Sequence, residues 1–80
     1  MPRRIAFLVF PGFQILDATG PIAAFEIAER YRPGTYALRP IAVTSGPVAS
    51  SSGISLHASS LGRADAVDTL IVAGGEGTRA

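Results

Sequence analysis

The sequence predicts an α/β domain built on a parallel sheet. Three observations carry that reading. Residues 4–10 (RIAFLVF) and 69–73 (TLIVA) are continuous apolar runs of strand length, each ending in glycine or proline-glycine. A helix-length segment, 14–31, follows the first run, and a further strand pattern at 36–44 follows the helix. A β-α-β order of this kind implies parallel strands with right-handed crossovers.

The first run fits a central strand covered on both faces, closed by Pro11-Gly12. In the helical segment, Leu16, Gly20, Ala23, Ile27 and Tyr31 share one stripe, expected to face the sheet, while Glu26, Glu29 and Arg30 face away. Glu26 and Arg30 stand i,i+4 in the favourable order. Pro21 leaves two alternatives: a helix beginning near Pro21, or one starting near Gln14 and bending. Arg32-Pro33-Gly34 stops it. Pro40 inside Tyr36–Thr44 suits an edge strand or a strand end.

Gly46–Ala49, a Ser50-Ser51-Ser52-Gly53 turn and the alternating Ile54–Ala58 read as a β-hairpin excursion. His57 falls on its wetter side, and Ser59-Ser60 read as turn residues. Leu61–Val67 reads as one helical turn, and Thr69–Ala73 as the last strand.

The 80 residues are 48% hydrophobic, with no cysteine and a mean hydropathy of +0.35. That is rich for a small free-standing unit without staples. The expectation is that residues 1–80 form the N-terminal portion of one domain, incomplete at Ala80, and that such a piece alone would be insoluble or oligomeric. Seven arginines, no lysine and six acids leave a net charge of +1, with no footprint for nucleic acid. No apolar run reaches the length of a membrane span, and no signal-peptide cleavage pattern follows Arg3-Arg4, so a cytoplasmic protein is expected. Without cysteine, and with His57 as the only histidine, no metal site is expected.

The glycines after the last strand, Gly74-Gly75-Glu76-Gly77, allow three readings. Gly75-x-Gly77-x-x-Ala80 fits the letter of a dinucleotide fingerprint, but after the last strand of the chain rather than the first. A plain strand-to-helix turn is the second. Backbone N–H groups lining a small-molecule or oxyanion site are the third. No cofactor is called for. Glu76 is either a solvated side chain or the rim of such a site. Asp17 is equally open: a helix-start carboxylate favoured by capping or the macrodipole, or an acid at the carboxyl ends of parallel strands, where α/β sheets place their sites. Beside a thiol it would relay a proton.

Phe10-Pro11-Gly12-Phe13-Gln14-Ile15-Leu16-Asp17-x-x-Gly20-Pro21 resembles the opening of the ThiJ/PfpI superfamily. Phe25-Glu26-Ile27-Ala28, Ser51-Ser52-Gly53-Ile54 and Val72-Ala73-Gly74-Gly75-x-Gly77 are similar to one branch of it, which holds isonitrile hydratases and the sensing domains of GlxA-type, AraC-family transcription regulators. The resemblance implies a glutamine amidotransferase-like, flavodoxin-like sandwich. It implies that Asp17 faces a nucleophile-elbow cysteine lying on a later strand. It implies that Gly20 and Pro21 wall the site, and that Gly74 and Gly75 supply oxyanion-hole amides. The candidate ligand-binding set is then Asp17, Gly20, Pro21, Gly75, Glu76 and Gly77. Two functions follow. One is the N-terminal ligand-sensing and dimerising domain of an AraC-type regulator, a homodimer that binds an unidentified small molecule and meets DNA only through a separate domain. The other is a cysteine-dependent isonitrile hydratase-like or amidase-like enzyme, a hydro-lyase in the first case.

Overall fold

The computed structural model describes residues 2–60 and 67–75. Within them the order is β1 (Arg3–Leu8), α1 (Ile15–Tyr31), β2 (Tyr36–Ala42), β3 (Gly46–Ala49), β4 (Ser55–Ser60) and β5 (Thr69–Val72). The strands form one five-stranded sheet in the order β3-β4-β2-β1-β5. β2 and β5 flank β1 in parallel, β4 runs parallel to β2, and only β3 is antiparallel to its neighbour. This is part of a flavodoxin-like α/β fold, as expected. No helix among the described residues is long and apolar enough to cross a membrane.

β1 is the central strand the sequence implies, with Ile5, Ala6 and Phe7 all buried. Its start is fastened to β5 by a mutual pair: Arg4 N–H donates to the Asp68 carboxylate at 2.7 Å, and Asp68 N–H to Arg4 C=O at 2.9 Å. β5 has a buried-type sequence but lies at the sheet edge among the described residues, so Leu70 and Val72 are exposed.

β2 is not an edge. It lies between β4 and β1 despite Pro40. Val9 N–H donates to Ile41 C=O, so Ile41 addresses β1 and the preceding residue addresses the β4 side. There the ladder begins only at Ile41↔Ser59. The missing N–H of Pro40 therefore falls just before the ladder with β4 begins. Ser59 and Ser60 are strand residues in that ladder, not turn residues. The hairpin itself is as expected. Ser50 N–H bonds to Ile54 C=O, Gly53 N–H to Ser50 C=O, and Gly53 takes φ +85° in a three-residue loop. His57 is exposed. The Leu61–Val67 turn lies outside the described residues, save for Val67.

α1 runs from Ile15 to Tyr31 with Pro21 inside it, so the helix starts near Gln14 and not near Pro21. The stripe it buries is not the one expected. Ala18 is fully buried, and Ile15, Ile22 and Phe25 pack partly against the sheet, whereas Leu16, Ala23, Ile27 and Tyr31 are exposed. Both stripes are apolar at helical spacing, so periodicity alone could not choose. Phe25 decides it. Its ring meets Phe7 edge-on at 6.2 Å and Tyr36 at 4.9 Å, an aromatic cluster spanning α1, β1 and β2.

Glu29 also departs from expectation. Its carboxylate does not face away. It accepts the N–H groups of Gly34 (2.5 Å), Thr35 (3.0 Å) and Tyr36 (2.8 Å), fastening the helix exit to the start of β2. The Tyr36 N–H above all, then the Gly34 N–H and least the Thr35 N–H, hold its carboxyl below the ordinary glutamate value of 4.5, with desolvation opposing them in part. A depressed carboxyl contributes stability that is full above its unfolded pKa and is lost as pH falls through the folded one. Glu29→Gln is thus expected to lower the melting temperature at neutral pH, with the gap to wild type closing below about pH 4.5. Melting curves from pH 3 to 7 check this, and a constant gap would count against the carboxylate. The Glu26–Arg30 pair forms at 2.8 Å, but both side chains are solvated and it adds little.

Candidate functional site

The site is built at the carboxyl end of the sheet from three turns that cross one another. The first is Phe10-Pro11-Gly12-Phe13. Phe13 N–H bonds to Phe10 C=O at 3.0 Å, with proline second and Gly12 third at φ +84°, a type II arrangement. It delivers Phe13, fully buried, into a cluster with Val9, Ala18, Ala42, Val48, Ala58 and Ala73. The second is the hairpin loop. Gly12 N–H donates to Ala49 C=O (2.9 Å), and Ser51 N–H to Phe13 C=O (2.8 Å). The third is the glycine pair that follows β5. Phe13 bridges to Gly75 on one side and to Ser50 on the other.

Asp17 and Gly74 are the sequence-predicted residues the structure brings into direct contact. Gly74 is clamped twice by the entry of α1. Its C=O accepts Gln14 N–H at 2.7 Å, and its N–H donates to the Asp17 carboxylate at 3.0 Å. Asp17 thus does something neither local reading foresaw. The helix N-cap, Gln14, makes no side-chain cap bond, and the Asp17 carboxylate reaches 57 residues along the chain rather than back to its own helix end. Gly74 N–H is aimed at Asp17, so a ligand oxyanion at that N–H would take the carboxylate's place.

Gly75 is sterically required, whereas at Gly74 an added methyl group would have only the Asp17 carboxylate to displace. A Cβ on Gly74 would stand 2.8 Å from the Asp17 carboxylate oxygen. One on Gly75 would stand 2.7 Å from both Gln14 N and Gly12 O and 2.9 Å from Phe13 Cα. Gly75 also has φ +144°. Gly20 and Pro21 lie one turn further along α1. Beside Gly20 the nearest groups are those of Leu16, and Pro21 is half-buried within the helix. On α1 it is the Asp17 side chain that bonds the glycine turn. Glu76 and Gly77, with the rest of the dinucleotide-like spacing, lie outside the described residues.

Sequence reasoning missed Phe13, Gln14 and the Ser50–Ser51 step as parts of the site. The available signal was Pro-Gly-Phe, a tight turn followed at once by a large apolar residue. Ser51 Oγ lies 3.4 Å from Gln14 Oε1, and Ser50 and Ser52 share a hydroxyl contact of 2.7 Å, giving a polar rim beside Gln14 at the entry of α1. On the other side of the Phe10-Pro11 turn an apolar cleft of about 410 Å³ opens, lined by Val9, Phe10, Ala42, Val43, Pro47 and Val48. That volume is of small-molecule size. Among the described residues no cluster of histidine, cysteine or acids is disposed to hold a metal.

No protein-family model matches the chain. Among curated proteins it is similar to an uncharacterized protein of the cpoL 5′ region of Streptomyces lividans, 40% identical over 76 residues, which are 94% of this chain and 53% of that protein. Among solved structures it is similar to the crystal structure of an AraC family transcriptional regulator from Pseudomonas putida. That match has a TM-score of 0.84 and 26% identity, and covers 92% of this chain and 48% of the other. The chain thus spans about half the length of each of these two relatives.

Proposed function

We propose that this chain is the N-terminal part of the sensing and dimerising domain of an AraC-type transcription regulator of the ThiJ/PfpI superfamily. It acts in the cytoplasm as a homodimer and receives a small molecule at the carboxyl edge of the sheet. DNA is contacted by a separate helix-turn-helix domain. The single observation that carries the reading is the structural likeness to an AraC family regulator over nearly the whole chain. The near-neutral charge supports it, since the basic surface then belongs elsewhere. The small-molecule part rests on the Asp17–Gly74 contact, the polar rim and the adjoining cleft.

A second reading, a cysteine-dependent isonitrile hydratase-like enzyme, is favoured by one feature: an acid held against a glycine turn at the carboxyl end of the strands. A thiolate outside these residues would attack the terminal isonitrile carbon, Asp17 would pass a proton to that carbon to give a thioimidate, and water adding there would expel the thiolate and leave an N-substituted formamide.

The test uses the intact protein in two assays: gel shift on DNA flanking its own gene, and conversion of cyclohexyl isocyanide to its formamide. Specific DNA binding without turnover is the expected result. Formamide production without DNA binding would replace the regulator reading by the enzyme. In the regulator, Asp17→Ala is expected to leave DNA affinity within about twofold while abolishing the effector response, and Asp17→Asn, which still accepts the Gly74 N–H, to retain part of it. If Asp17 works as an acid–base group instead, Asn is as inactive as Ala.

A further inference from the structure

α1 is apolar on both faces. Ala18, Ile22 and Phe25 turn to the sheet. On the opposite side Leu16, Gly20, Ala23, Ile27 and Tyr31 run the length of the helix, with Leu16 65%, Ile27 50% and Tyr31 83% exposed. A helix apolar all round is normally covered all round, and a continuous exposed apolar strip marks an interaction surface.

The order of residues in the strip points to its partner. A two-fold contact sets residue i against j of the second copy and j against i. If the strip is laid antiparallel on itself, Leu16 falls level with Tyr31 of the second copy and Gly20 level with Ile27 of the second copy. Both pairs share one midpoint, beside Ala23, which then meets its own counterpart. The bulky Ile27 lies opposite a residue without a side chain. The space over Gly20 is open outward, since an added methyl would touch only Leu16, at 3.7 Å. The strip itself carries no charge, and the Glu26 and Arg30 that flank its middle already compensate each other at 2.8 Å. The three large side chains, the small residues between them and the stems of Glu26 and Arg30 offer on the order of 500 Å² a side. The total of about 1,000 Å² reaches the size of a biological interface.

We infer that the outward face of α1 is a self-association surface, on which two copies pack their first helices antiparallel through Leu16, Gly20, Ala23, Ile27 and Tyr31. This rests on the homodimer in the function proposed above and assigns it a face. Leu16 adjoins Asp17 in sequence, so the seam borders the carboxylate that holds Gly74.

Sedimentation equilibrium of the intact protein tests the surface. Ile27→Glu and Tyr31→Glu, both at exposed positions, are each expected to weaken the dimer about tenfold or more without changing the circular dichroism spectrum. Ala23→Cys is expected to give a disulfide-linked dimer on mild oxidation, while Ala37→Cys, exposed on β2, does not. A wild-type dimer that neither Glu variant weakens by more than about twofold, with no Ala23→Cys cross-link, overturns this surface and leaves the homodimer standing on another face. A wild-type protein that is monomeric at high micromolar concentration overturns both. A monomer in which the Ala23→Cys thiol is shielded from alkylation shows that a segment of the same polypeptide covers the strip, and overturns it too.

Discussion

Replacing Gly75 by alanine is expected to cost about 3 kcal/mol or more of folding stability, the sum of an unfavourable φ and forced overpacking. The new methyl group would sit 2.7 Å from Gln14 N and from Gly12 O, and 2.9 Å from Phe13 Cα. All three are backbone atoms, which have no rotamer through which to escape. They belong to a segment fixed from both sides, by the hairpin loop through Ser51 N–H and by Gly74 C=O through Gln14 N–H. Gly34 supplies the control. Its φ is +88°, but nothing lies within 4 Å of an added Cβ, so Gly34→Ala carries the backbone penalty alone, about 1 kcal/mol. For a domain of roughly 150–250 residues, the size class of which this chain would be a part, each kcal/mol lowers the melting temperature by roughly 2–4 °C. Thermal melts of the two variants should differ by at least about 4 °C on that scale. Equal melts would mean that the glycine turn does not cross residues 12–14 as closely as described.

Phe13→Ala is the second large effect, about 3–5 kcal/mol. The side chain is wholly buried where β1, α1, the hairpin and β5 converge, among Val9, Ala18, Ala42, Val48, Ala58 and Ala73. Most of those neighbours are small, so they have little side chain with which to close the gap. The loss is also local to the site, because the same residue bridges Ser50 and Gly75 through its backbone. The variant is therefore expected to lose effector response at temperatures where it is still folded. Phe13→Leu, which keeps most of the volume, should cost less than about 1.5 kcal/mol. Urea titrations of both variants measure the difference, and an alanine variant within about 1 kcal/mol of wild type would remove Phe13 from the centre of the junction.

What could be read from the chain divides by the range of the interaction. The strands at 3–8 and 69–72, the hairpin about Ser50–Gly53 and the end of the helix at Tyr31 are local outcomes of apolar runs and glycine or proline punctuation. They were legible within a residue or two. The helix stripe was not. Leu16-Gly20-Ala23-Ile27 and Ile15-Ala18-Ile22-Phe25 are both apolar at helical spacing, and only the aromatic contacts with Phe7 and Tyr36 select the second. The same holds for β2. Proline at position 40 suits an edge or a strand end, and the interior strand tolerates it two residues from its end because the ladder with β4 begins only at Ile41. Asp17 and Gly74 were each legible as candidates. Their bond was not, since it joins residues 57 apart in sequence and depends on β5 docking beside β1. Gln14, Phe13 and Ser51 escaped notice for a related reason: they act mainly through backbone groups, which side-chain identity does not reveal.

By itself the sequence determined an α/β chain with a parallel β-α-β start, a glycine turn after its last strand and an acid at the entry of its helix. Each follows from steric and hydrogen-bonding preferences that operate within a few residues. Tertiary structure alone decided which helix face is buried, that the Asp17 carboxylate closes on Gly74, and that Gly75 has no room for a side chain. Those outcomes depend on atoms brought together from turns some 40 to 60 residues apart, where packing and not propensity sets the geometry.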